Sequence, residues 1–106
     1  MDGATLRVVL CNCSPDESSS LAELLVEEKL AACVNVISGI QSFYVWQGEM
    51  CRDEEDTLLI KTTDERFEEM RERLVEAHSY DVPEVISLEG RDVYEPYVEW
   101  AHQQTS

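Results

Sequence analysis

The chain has 106 residues, 43% of them hydrophobic, and a formal charge of −15. A single domain over residues 1–106 is the expectation at this length. The acidity excludes nucleic acid and anionic membranes as partners, since both are met with Lys and Arg.

No window approaches the ~20 apolar residues of a membrane span. The N-terminus has no basic region ahead of an apolar run, so a cytoplasmic protein with reduced thiols is expected. Leu6 to Cys13 reads as a mostly buried first strand, with Cys11 and Cys13 on one face. Those thiols are either two soft metal ligands or small buried apolar groups. Ser14-Pro15-Asp16-Glu17 predicts a helix start, with Ser14 as cap, Pro15 at the first position and Glu17 completing a capping box. The stripe Leu21, Leu24, Leu25 continues it, with an end near Ala32.

Cys33 to Thr63 is strand-like for thirty residues, broken once at Gln47-Gly48-Glu49. Paired as a hairpin, each arm of about 14 residues spans ~45 Å, against a diameter of ~33 Å for a compact domain of this size. The overhang would expose an aromatic-bearing strand edge, so a second copy of the chain is expected to pair with it. Val34, Val36, Ile40, Tyr44 and Trp46 share one parity, with a bend or bulge at Ser38-Gly39. The returning strand crosses an acidic patch, Asp53 to Asp56, before Leu58-Leu59-Ile60. A second helix starts at Asp64-Glu65, a fourth strand at Asp81-Val82-Pro83, and a last helix at Glu95-Pro96. Strand, helix, strand, strand, helix, strand, helix is an α+β order. It predicts a ferredoxin-like split βαβ sandwich with a C-terminal helix.

Four segments in register carry a resemblance: Glu28 to Asn35, Tyr44 to Glu49, Leu59 to Thr63, and His78-Ser79-Tyr80-Asp81-Val82-Pro83-Glu84. Together they closely resemble the CutA family, the divalent-cation tolerance proteins, from Val8 to Trp100. The resemblance implies a homotrimer whose long hairpins extend each subunit's sheet into its neighbour. It also implies a role in response to metal ions, with copper and other divalent cations as ligands, and no catalytic reaction; with His78 as the one matching histidine, weak binding with no obligatory metal is expected. The family's copper site uses a thiol near the end of the first strand and one or two histidines before the Pro-Tyr step. Here Asn12 or Cys13 holds the thiol region and His78 matches one histidine. Ala77 precedes it and Ser79 replaces the proline.

The candidate metal residues are therefore His78, Cys13 and Glu84. Cys33, Tyr44, Trp46, Lys61 and Tyr80 are the candidates for a cleft between subunits. His78 falls on the apolar helix face, where it is either a satisfied core histidine or a ligand. Glu84 shares parity with Val82, Ile86 and Leu88, at an exposed strand start or facing the cleft. Tyr44 and Trp46 are either interface anchors or ligand stackers. No phosphate-binding loop, G-x-S-x-G or H-E-x-x-H occurs, so no enzyme is expected. Two other roles stay open. One is a signalling trimer resembling the PII proteins, with a small molecule between subunits. The other is a structural trimer serving a protein partner.

Overall fold

A computed structural model describes residues 6–106; residues 1–5, on which the expected absence of a secretory signal rests, lie outside it. The elements are β1 (Leu6–Cys13), α1 (Ser18–Glu27), β2 (Cys33–Trp46), β3 (Glu49–Thr63), α2 (Asp64–Ala77), β4 (Ile86–Gly90) and α3 (Glu95–Gln104). They form one antiparallel sheet in the order β2-β3-β1-β4, the expected split βαβ arrangement.

Alternation along the strands divides the sheet into two faces. Val9, Cys11 and Cys13 of β1 meet Leu58 and Ile60 of β3 on the helix face. Leu21 and Leu25 of α1 and Met70 and Leu74 of α2 close over them as the main core. On the reverse face α3 covers only the Leu6 end, through Val98 and Ala101. The rest of that face stays open, and Ile86 and Leu88 are 48% and 51% exposed.

Three local expectations change. The Ser14–Glu17 segment folds as a turn, and α1 begins only at Ser18. Half of the capping box survives in it, with the Ser14 N–H donating to Glu17 Oε2 at 3.3 Å. The helix ends at Glu27, not near Ala32, because Lys29 turns left-handed at φ 61°. The N–H groups of Lys29 and Leu30 then donate back to Val26 and Leu25, closing a Schellman motif without glycine. The fourth strand starts at Ile86, five residues later than expected. Pro83 has no N–H for a ladder, so residues 81–85 form a connecting segment and the parity argument does not reach Glu84.

The hairpin is as long as expected. Gln47 and Gly48, both at positive φ (53° and 81°), make the two-residue turn that right-twisted strands favour. The described residues measure 47 × 25 × 22 Å, so the hairpin sets the long axis.

Candidate functional site

The hairpin contains one irregularity, and it places the site. Ile37 pairs with Thr57 but Ile40 pairs with Glu55, so β2 carries one extra residue at Ser38-Gly39. Gly39 takes φ 76°, and its N–H donates to the buried Asp56 carboxylate at 3.3 Å. Asp56 also accepts the Ser18 hydroxyl at 2.7 Å, which ties the bulge to α1. The extra residue reverses the parity of everything beyond it. Val34 and Val36 sit opposite Ile60 and Leu58 on the helix face, whereas Tyr44 and Trp46 sit opposite Cys51 and Glu49 on the reverse face. The single parity expected for β2 is corrected accordingly.

Beyond the bulge, the reverse face of the hairpin and the 80–84 segment enclose a cleft of about 670 Å³. Its walls include Phe43, Tyr44, Trp46, Tyr80 and Val82, and its carboxylates are Asp53, Glu55, Asp81 and Glu84. Among the described residues no lysine or arginine lines it. Glu55, only 6% exposed, accepts the Tyr80 hydroxyl at 2.6 Å. Burial and that bond push the Tyr80 phenol well above its usual range. Tyr44 donates its hydroxyl to Asp53, and the bond raises its pKa to about 12. Burial, with Glu55 nearby, raises the Glu84 carboxyl.

Behind Tyr80 lies a network that holds it in place. The Tyr80 N–H donates to His78 Nδ1 at 3.1 Å, so the proton of the neutral ring sits on Nε2 and is donated to the Asn12 carbonyl at 3.0 Å. The His78 side chain is fully buried and packs against the Tyr80 ring, tilted by 59° with the centroids 4.7 Å apart. Next to it, Glu17 accepts the Ser79 N–H at 3.1 Å and the Ser79 hydroxyl at 2.6 Å.

Of the residues named from sequence, Tyr44, Trp46, Tyr80 and Glu84 meet in this cleft. Cys33 and Lys61 pair with each other at the other end of the β2–β3 ladder. Six residues separate Lys61 from Glu55, roughly 20 Å along the strand. Lys61 donates to Asn35 there. Cys13 is buried in the helix-face core, and burial with Glu17 nearby raises its thiol pKa to about 11. Burial does the same to Cys11, to about 12, so neither thiol is poised as a thiolate.

The implied divalent cation fits the named residues poorly. Both His78 nitrogens are engaged, Cys13 lies on the other face, and no group of three His, Cys, Asp or Glu able to hold a metal forms among the described residues. Asp53 and Glu55 belong to the site although sequence reasoning took the Asp53–Asp56 patch only as acidic. Counting the bulge into the β2 register would have put both on the face of Tyr44 and Trp46.

The family model described as "CutA1 divalent ion tolerance protein" matches residues 7–104. A Thermus thermophilus "Divalent-cation tolerance protein CutA" is 41% identical over 100 residues, covering 93% of this chain and 97% of that protein. The Thermus structure superposes with a TM-score of 0.90 at 40% identity, over 95% of this chain and 99% of that one. An Arabidopsis thaliana "Protein CutA, chloroplastic" is 42% identical over 85% of this chain, which spans only 50% of that protein's length. The "PII-like protein CutA" from Nostoc has a TM-score of 0.90 at 32% identity, over 94% of this chain and 97% of that one. The chain belongs to the CutA1 divalent ion tolerance family.

Proposed function

We propose that this family member serves divalent-cation tolerance as a non-enzymatic, cytoplasmic homotrimer that signals through the hairpin cleft. One observation carries the reading. Four residues singled out by sequence, Tyr44, Trp46, Tyr80 and Glu84, line a single cleft with Asp53 and Glu55. The trimer is supported by the half-exposed Ile86 and Leu88 of the reverse face, which a second copy would cover, and by the outer edge of β2 along the long hairpin, which a second copy would pair with. A reducing compartment suits four free cysteines. A nucleotide suits the cleft badly, because its carboxylates repel phosphate and no cation answers it.

A second reading, weak binding of copper or another divalent cation, is favoured by the unanswered charge of the Glu55 and Glu84 carboxylates, which line the cleft where, among the described residues, no lysine or arginine does. A cation shared by those carboxylates would relieve it. Calorimetric titration of the assembled protein with copper(II) and with ATP tests both readings. The expected results are no heat from ATP and weak copper binding that Glu84→Gln reduces. That binding should fade as pH falls through the raised Glu84 pKa, because the carboxyl must lose its proton to ligate. ATP binding, or tight copper binding indifferent to Glu55→Gln and Glu84→Gln, would displace the cleft from this role.

A further inference from the structure

We propose that the natural ligand of the cleft is a small organic ammonium compound, a protonated primary amine on an apolar body. The inference rests on the cleft reading above and names the ligand's chemistry. Glu55 is 6% exposed and lines the cleft; the Tyr80 hydroxyl is its hydrogen-bond partner, and among the described residues no cation faces it. Among the described residues the arginines in ion pairs meet Asp64, Glu69, Glu68, Glu28 and Glu76 instead. The Tyr80 hydroxyl offsets part of the cost of burying this carboxylate, and a positive charge arriving with the ligand would answer the rest. Glu84, on the opposite wall, adds a second acceptor, and Asn12 adds an amide.

The shape of the charge is set by the rest of the lining. A bare divalent cation needs several oxygens converging at fixed short distances, and no such group of three side chains forms among the described residues. Nor would a hydrated ion gain anything from Tyr44, Trp46 and Val82. An alkyl or aryl body gains burial against those walls, and its cationic end is attracted by the ring faces. The acceptors ask for N–H donors, so a primary ammonium, with three of them, satisfies more of the site than a quaternary one. The volume of about 670 Å³ is in the range of small-molecule sites.

The test follows the indole N–H resonance of Trp46 in the assembled, full-length protein, with Trp100 as internal reference. Probes are n-butylammonium chloride, the neutral isostere butan-1-ol, magnesium chloride and zinc chloride, at constant ionic strength. The expected result is a saturable Trp46 shift with n-butylammonium, and roughly tenfold weaker binding of butan-1-ol. Glu55→Gln can still accept the Tyr80 hydroxyl, so it should keep the fold while weakening n-butylammonium by a similar factor. Glu84→Gln provides the same comparison should Glu55→Gln fail to fold. Equal binding of the amine and the alcohol, or amine binding indifferent to the carboxylate variants, overturns the proposal. Binding of magnesium or zinc without the amine overturns the ligand class and leaves the cleft as the site. A Trp46 resonance that none of the four probes moves overturns both.

Discussion

Three side chains do work that their type would not announce. Lys29 ends α1 in a left-handed conformation at φ 61°, where a residue with a Cβ carries a cost that glycine avoids. Lys29→Gly should therefore stabilise the fold by about 1 kcal/mol, read as a higher denaturation midpoint at unchanged slope. His78 is a structural pin, with one nitrogen on Asn12 and the other on Tyr80. His78→Ala leaves two backbone groups unpaired beside a new void, so a loss of about 2–4 kcal/mol is expected. Its urea unfolding curve against wild type measures that, and an unchanged midpoint would refute the role. Glu84 acts with the opposite sign. Its folded pKa lies above the ordinary 4.5, so the folded state binds the proton more tightly and ionisation weakens the fold. That penalty is absent below pH 4.5 and complete above the raised value. Glu84→Gln should accordingly melt higher than wild type at pH 7 and level with it at pH 4.

At the level of elements, the hairpin bulge decides where function can sit. Without the extra residue at Ser38-Gly39, Tyr44 and Trp46 would stay on the face of Val34 and Val36, away from the cleft. No atom lies within 4 Å of a Cβ built on Gly39, so a substitution there meets only the positive-φ penalty. Gly39→Ala should cost about 1 kcal/mol in thermal unfolding while the cleft survives. The bounds of β2 and β3 and the starts of α2 and α3 were legible because each carries a local signal: Gln47-Gly48, Asp64-Glu65, Glu95-Pro96. What was not legible depends on longer-range matching. The face of Tyr44 required the register across a bulge. The late start of β4 required knowing that its pairing with β1 begins only at Ile86, which leaves Pro83 off the ladder. The true end of α1 lacked its usual glycine. For the site, the aromatic residues and Glu84 were readable as motif positions. Glu55 needed Tyr80 to be brought onto it by the His78 and Glu17 contacts, which join α1, α2 and β1.

For the whole molecule, charge and shape pull against each other. Each chain carries a formal −15, and the proposed trimer would carry three times that. Screening acts over roughly 8–10 Å at physiological salt, so stability should rise when sodium chloride is added from low to moderate concentration. A flat or falling melting temperature across that range would contradict the expectation. Against the repulsion stand the apolar reverse face and a hairpin that stretches the molecule to 47 Å, too much unpaired edge for one soluble copy. The account turns on that balance, because the cleft is proposed to work within a trimer. Sedimentation equilibrium of the intact protein at low micromolar concentration tests it most directly. The account predicts one species at three times the 12.1 kDa chain mass, with no folded monomer on dilution. A stable, folded monomer at those concentrations would contradict it.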